Sequence, residues 1–234
     1  MAGTPQLPLD LQVERAPRFE NYWTAASDPV VPVLRAHALG YPDAAPAAAR
    51  ETVVFVWGTA GAGKSHLLHS SVHWARSHGR PACHVGPDEV VRGVCVDGLA
   101  LLCVDDVDGF AGDLEAERNL LDVFESLRAS GAQLVVSADR PPAAVAFGLA
   151  DLQSRLMWGP VLRIDPLSDE ALRLHFRAHA DRYGLHIPDD VVEYVARRCP
   201  RDAAYLEALA EALHRQSLAE KRRVSIPMVA RVTA

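Results

Sequence analysis

Lysine is nearly absent from this chain of 234 residues, which has two lysines, Lys64 and Lys221, among its 24 basic residues. Acidic side chains outnumber basic ones and give a net charge of −6, so a broad basic face for nucleic acid is not expected. The four cysteines contain no C-x-x-C pair, which argues against a zinc or disulfide framework. Because lysine is so scarce, Lys64, which follows a run of glycines, is a candidate functional residue.

Long apolar segments are also lacking. No run approaches the roughly 20 residues that a membrane-spanning helix needs. No basic stretch followed by an apolar core opens the sequence, so a secretory signal is not expected. These features predict a cytoplasmic protein with no membrane partner.

What the sequence does contain is a complete phosphate-binding loop, G-x-x-x-x-G-K-[ST], at residues 58–65. An apolar strand at 52–57 precedes the loop and a helix over 64–78 follows it, as the motif requires. Glycines let backbone N–H groups surround a phosphate, and the helix N-terminus favours its negative charge. We expect Lys64 to neutralise the β- and γ-phosphates and Ser65 to bind Mg²⁺. The predicted nucleotide-binding residues of this segment are Gly58, Thr59, Ala60, Gly61, Ala62, Gly63, Lys64, Ser65 and His66.

Short apolar strands and helices alternate after the loop, which predicts an α/β fold with a parallel sheet flanked by helices. Four further strands are expected at 81–85, 99–104, 132–137 and 161–164. The helices between and after them are expected at 87–93, 114–130, 141–148 and 151–157.

The pattern becomes purely helical after Pro166, where Ser168 can cap the first of several helices. We therefore predict three parts. They are an extended tail at 1–20, a nucleotide-binding α/β domain at 21–166 and a small α-helical domain at 167–234.

Acidic residues follow two of the predicted strands and could complete the site. We expect Asp105 to complete the Mg²⁺ coordination and Asp106 to orient water, although acids at a strand end are also ordinary turn residues. After the next strand, Asp139 is the first candidate to contact the γ-phosphate and Ser137 the second. Asp139 is equally suited to cap the helix that follows it.

Two further features have a functional and a structural interpretation. Arg155 lies on a short amphipathic helix, where it could contact a phosphate in cis or in trans, or form a surface salt bridge. In the tail, apolar residues alternate over 6–11, as in an extended peptide whose alternate side chains enter pockets of a partner. The same segment could instead pair with the domain as a strand.

Two sets of histidines share a helix face. His66, His69 and His73 lie on the helix after the loop, and His175 and His179 are four residues apart. Neither set has the flanking acid of an H-E-x-x-H motif, so we interpret both as solvated or partly packed faces.

The order of these motifs resembles the AAA+ family of the bacterial initiator DnaA, and most closely its Hda branch, the regulatory inactivators of DnaA. The resemblance covers nearly the whole chain, and the tail and the stretch around Arg155 are its most specific parts. It rests on residues 6–11, 58–65, 105–106, 137–141, 149–159 and 166–170.

The resemblance implies a negative regulator of chromosomal replication initiation whose helical domain is a lid. Arg155 becomes an arginine finger that acts in trans on ATP held by DnaA, and Asp139 becomes a sensor of the nucleotide. The implied ligands are ADP or ATP with Mg²⁺, and the implied partners are DnaA and the DNA-loaded sliding clamp, the β subunit of DNA polymerase III. A homodimer is compatible with the resemblance. The implied clamp-binding anchors are Gln6, Leu7, Leu9 and Leu11.

One departure from the family pattern concerns a lid arginine that contacts the nucleotide phosphates. Aligned through residues 225–227, that position falls on Ala204, and Arg201 is the candidate substitute. We therefore expect an activator of hydrolysis by DnaA rather than an efficient ATPase. Two alternatives stay open: an autonomous AAA+ ATPase such as a helicase loader, and a non-catalytic adaptor that binds the clamp and DnaA.

Overall fold

The computed structural model describes residues 17–22, 28–40, 52–201 and 203–233. The predicted clamp-binding anchors in the tail lie outside this part of the chain. Within it, none of the helices combines the length and the apolar character needed to span a bilayer.

A parallel sheet of five strands lies at the centre of the α/β part, in the order β2-β3-β4-β1-β5. The first strand is therefore flanked by the fourth and fifth, and Phe55 is in register with Val136 on one side and Val161 on the other. The interior strands are buried on both faces, which explains why their sequences are continuous apolar runs. The strands are β1 Val53–Trp57, β2 Ala82–Val85, β3 Leu101–Val104, β4 Gln133–Ala138 and β5 Val161–Arg163.

Helices cover both faces of the sheet. The first two, α1 Val30–Leu39 and α2 Lys64–Ser77, contribute to the core on one face. The next three contribute to the core on the other face: α3 Pro87–Arg92, α4 Leu114–Ser130 and α5 Ala150–Leu156. The predicted parallel sheet with flanking helices is therefore confirmed.

Four helices follow β5 and enclose a third core of their own. A serine caps the first of them: the Ser168 hydroxyl accepts a hydrogen bond from the Ala171 N–H at 3.2 Å. The boundary between the two parts at 166/167 stays a prediction. The helices are α6 Asp169–Arg182, α7 Asp189–Arg198, α8 Ala203–Glu220 and α9 Ile226–Val232.

The predicted helix at 141–148 is wrong. The structure has a single 3₁₀ turn there, Pro142–Ala144, and then non-helical backbone up to α5. Two consecutive prolines remove backbone donors, and a tertiary contact holds the rest. The fully buried carboxylate of Glu117, on α4, accepts hydrogen bonds from the N–H groups of Gly148 at 2.9 Å and Leu149 at 2.7 Å.

Candidate nucleotide-binding site

The glycine loop connects β1 to α2 and has the backbone that only glycine adopts easily. Gly63, which precedes α2, has a φ of 96°, in the left-handed region. A Cβ on Gly58 would lie 2.3 Å from the carbonyl oxygen of Ile164, so a side chain is excluded at this position as well. The loop is thereby pressed against the end of the sheet, with the N-terminus of α2 behind it.

Lys64 brings the ends of three strands together. Its buried ammonium group donates hydrogen bonds to Asp139 Oδ1 at 2.6 Å and to the Gly58 carbonyl oxygen at 3.2 Å. Asp106 Oδ1 lies 3.9 Å away. Since these acids follow β4 and β3, Lys64, Asp139 and Asp106 converge at the carboxyl edge of the sheet. Their roles toward a nucleotide stay predictions.

Asp105 is a buried carboxylate with several hydrogen-bond donors. The Ser137 hydroxyl donates to its Oδ1, and His84 Nε2 lies 3.5 Å from its Oδ2. Burial alone would raise the pKa of Asp105, but the hydrogen bonds from His84, Ser137 and Ser65 hold it down to about 2. The carboxylate is therefore ionised at neutral pH and is close to the Ser65 hydroxyl, so the two oxygens form a suitable pair of Mg²⁺ ligands.

Ser137 and Asp106 support this arrangement. The Ser137 hydroxyl also accepts the Asp106 N–H at 2.9 Å, so it links the ends of β3 and β4. Asp106 has left-handed backbone angles, with φ 48° and ψ 53°. Burial and the charge of Asp105 raise the pKa of Asp106, while Lys64 opposes the rise. The Asp106 carboxylate is half-exposed, as a group that orients water must be.

Residues before α1 cover the loop, and the sequence interpretation missed their role. The Tyr22 ring lies against Gly63, 5.7 Å from the His66 ring between centroids. His66 Nε2 is 3.0 Å from the carbonyl oxygen of Arg18. The sequence does contain a cluster of aromatic residues at 19–23. Its composition alone does not indicate that it contacts the glycine loop. His84 was missed as well, because nothing in its local sequence pairs it with Asp105.

Arg155 lies on α5 and is held by two carboxylates. It forms ion pairs with Glu125 on α4 and, at 3.0 Å, with Asp151 one turn earlier on α5. Its guanidinium also lies over the ring of Trp158, 5.3 Å from the centroid. The contacts described for Arg155 are thus with α4, α5 and Trp158, and its role as an arginine finger stays a prediction.

Arg201 contacts the start of the lid. Its guanidinium lies 2.5 Å from the Asp169 carboxylate and donates to the Leu167 carbonyl oxygen at 3.3 Å. Ala204 lies in the first turn of α8. Whether Arg201 substitutes for the family's lid arginine therefore stays a prediction.

The strand order, the loop after β1, the acids after β3 and the helical part after β5 define an AAA+ fold. The family model of the bacterial DnaA ATPase domain matches residues 94–163, and that of the Hda lid domain matches residues 169–232. The chain is an AAA+ protein related to DnaA and Hda.

Solved structures have the same fold at low sequence identity. Domain III of the Thermotoga maritima DnaA aligns with a TM-score of 0.78 and 20% identity over 92% of this chain and 94% of that one. AMPPCP-bound DnaA from Aquifex aeolicus aligns with a TM-score of 0.66 and 19% identity over 88% of this chain and 69% of that one. The RuvB branch migration motor of Thermotoga maritima aligns with a TM-score of 0.58 and 16% identity, covering 79% and 61% respectively. The fold is therefore shared with initiators and with DNA motors.

Proposed function

We propose that the chain binds ADP or ATP with Mg²⁺ in the loop at 58–65. The observation that carries this proposal is the convergence of Lys64, Asp139 and Asp105 beside the glycine loop. Lys64 is buried, and phosphate oxygens would replace Asp139 as its partner. The DnaA of Aquifex aeolicus, which has this fold, is described with bound AMPPCP.

We further propose that the bound nucleotide controls a regulator of DnaA, with ADP as the form that holds it active. The match to the Hda lid supports this choice over a general ATPase. Ala204 at the position of the family's phosphate-binding arginine also favours a regulatory site over rapid turnover in cis. DnaA would be the enzyme, and this chain would supply one residue to the active site of DnaA. We propose that the two proteins meet in the cytoplasm.

Arg155 is the residue proposed to act in trans. In the hydrolysis of DnaA-bound ATP, water attacks the γ-phosphorus and the bond to the β–γ bridging oxygen breaks, leaving ADP and phosphate. An arginine stabilises the negative charge of that transition state. Beside Arg155, the apolar side chains of Met157 and Trp158 are about half exposed, as expected of a surface that docks on another protein.

The test measures ATP hydrolysis by DnaA in the presence of loaded clamp, ADP and this protein. We expect Arg155→Ala to abolish the stimulation, because arginine fingers supplied in trans contribute on the order of 10³–10⁵ in rate. Arg128→Ala is a matched control, since Arg128 also pairs with Glu125 and lies 5.7 Å from the Trp158 ring centroid. Full stimulation by Arg155→Ala would show that the finger is assigned to the wrong residue.

The same assay separates the two alternatives. Hydrolysis by this protein without DnaA would favour an autonomous ATPase such as a helicase loader. Unchanged regulation when Lys64→Ala and Arg155→Ala are combined would favour a non-catalytic adaptor. Clamp binding through the tail and a homodimer are also part of the proposal.

A further inference from the structure

His175 and His179 lie one turn apart on α6 and face a carboxylate of α8, that of Glu207. The pair lacks the flanking acid of an H-E-x-x-H motif, and the packing of α8 against α6 supplies a carboxylate. We propose that His175, His179 and Glu207 form a binding site for one divalent transition-metal ion of the zinc type. The site is independent of the nucleotide loop and of the proposed action on DnaA.

The distances suit a shared ion. Glu207 Oε1 lies 3.0 Å from His179 Nε2 and 3.7 Å from His175 Nε2. One ligand atom from each of the three residues lies within 4.8 Å of the others. Ligands at about 2.0–2.2 Å from a tetrahedral zinc are about 3.3–3.6 Å apart, so small side-chain adjustments would accommodate the ion. Two imidazoles and one carboxylate, with a fourth position for water, are a common zinc ligand set.

The protonation states also suit a metal. Both imidazoles are buried, with 1% of His175 and 5% of His179 exposed. Burial and the neighbouring His179 lower the pKa of His175 to about 4, so its ring is neutral at neutral pH. Burial raises the pKa of Glu207, but the hydrogen bond from His179 and the neighbouring histidines together lower it, which favours the ionised carboxylate. Glu207 is 47% exposed and provides a route from solvent.

Metal binding would break two existing contacts of the histidines. His175 Nε2 lies 3.3 Å from the carbonyl oxygen of Ala203, and a Nδ1–H tautomer would free this nitrogen for the ion. Arg182 Nη1 lies 3.2 Å from both ring nitrogens of His179 and would be repelled by a cation. Since Arg182 is exposed, it can turn into solvent at little cost. Without a metal, the contacts of Glu207 with the two histidines link α8 to α6.

The site lies where the lid approaches the loop helix. Burial lowers the pKa of His66, three residues into α2 from the loop glycine, and the charge of Glu207 partly opposes this shift. A cation on Glu207 would therefore alter the electrostatic environment of α2.

The experiment titrates Zn²⁺ into the full chain by calorimetry after chelator treatment, in the absence of nucleotide and Mg²⁺. We expect one ion per chain, and Co²⁺ in its place should give the visible absorption of tetrahedral cobalt. Glu207→Gln should weaken binding at least about tenfold. Glu211→Gln is the matched control, one turn along α8 with 39% of its side chain exposed, and should bind as the parent does.

Two results would overturn the proposal. One is the absence of stoichiometric Zn²⁺ binding by the parent chain, which would leave only a structural contact between α6 and α8. The other is equal Zn²⁺ affinity of Glu207→Gln and the parent, which would place the ion elsewhere, for example at free thiols. His179→Gln is a second variant with the same expectation, in case the first disturbs the packing of α6 on α8.

Discussion

His37 shows how a titratable side chain is accommodated in the core. It lies on α1, nearly fully buried, with Nε2 3.0 Å from the carbonyl oxygen of Leu134 on β4. Burial lowers the pKa of His37 to about 4; the hydrogen bond to Leu134 opposes the shift, and the charge of Arg80 adds to it. The neutral ring thus anchors α1 to the sheet.

This shift predicts a pH dependence of folding. Between pH 6.5 and about 4 the unfolded chain binds a proton at His37 that the folded chain does not. Stability is therefore complete above pH 6.5 and declines as the pH falls toward 4, by up to roughly 3 kcal/mol from this residue. His37→Gln keeps a donor for Leu134 without the titration. Urea unfolding at several pH values should show that the unfolding free energy of the variant declines less steeply as the pH falls. An equal decline in the variant and the parent would contradict the lowered pKa of His37.

Lys64 presents the opposite case, a buried charge that requires partners. Asp139 and the Gly58 carbonyl oxygen provide hydrogen bonds, and a buried ammonium without them would be strongly unfavourable. The site is thus organised around a buried positive charge, and the oxygens of a bound phosphate can replace its present partners. The same pairing explains why a scarce lysine occurs at this position.

At the scale of elements, one buried carboxylate determines where α5 begins. Glu117 accepts hydrogen bonds from Gly112, Gly148 and Leu149 N–H groups at 2.7, 2.9 and 2.7 Å. The last two lie immediately before α5, which carries Arg155. The position of the proposed arginine finger therefore depends on a residue of α4.

Glu117→Gln tests this dependence. Gln replaces one acceptor oxygen with a donor that faces backbone N–H groups, so we expect a loss of about 1–3 kcal/mol in unfolding free energy. Glu115→Gln, on the exposed side of the same helix, should change it by less than about 0.5 kcal/mol. Urea denaturation of both variants measures the difference. Equal stabilities would mean that the loop before α5 is held by other contacts.

At the scale of the whole molecule, two apolar cores enclose the sheet and a third lies within α6–α9. Two of the exposed apolar residues, Met157 and Trp158, lie between α5 and β5, near the proposed finger. The segment at 6–11 proposed to bind the clamp belongs to a different part of the sequence. Recruitment and catalysis are therefore proposed to use separate segments of the chain.

That separation predicts a selective effect of tail substitutions. Gln6→Ala with Leu7→Ala should lower the affinity for the sliding clamp at least about tenfold, because a peptide of this kind binds through a few anchors. Gln12→Ala with Val13→Ala is the matched control, with a glutamine and an apolar residue just beyond the segment. Surface plasmon resonance on immobilised clamp measures both. Normal binding by the first pair of substitutions would rule out the peptide.

Much of the fold was predictable because it depends on local patterns. The strand, loop and helix around residues 58–65 and the four later strands occur where the apolar runs indicated. The helix predicted at 141–148 was wrong, because the buried carboxylate of Glu117 engages the backbone from α4. The contacts of Asp105 with His84 and its other neighbours could likewise not be predicted from the sequence, because these residues come from different strands.

The sequence by itself determined the alternation of strands and helices, the glycine loop and the acids at the strand ends. These depend on hydrophobic periodicity and on backbone conformations that only glycine adopts readily. Only the tertiary structure decided which side chains meet: Lys64 with Asp139, Ser137 with Asp105, and His175 and His179 with Glu207. Such pairs depend on how distant elements pack, and local sequence patterns carry no record of that packing.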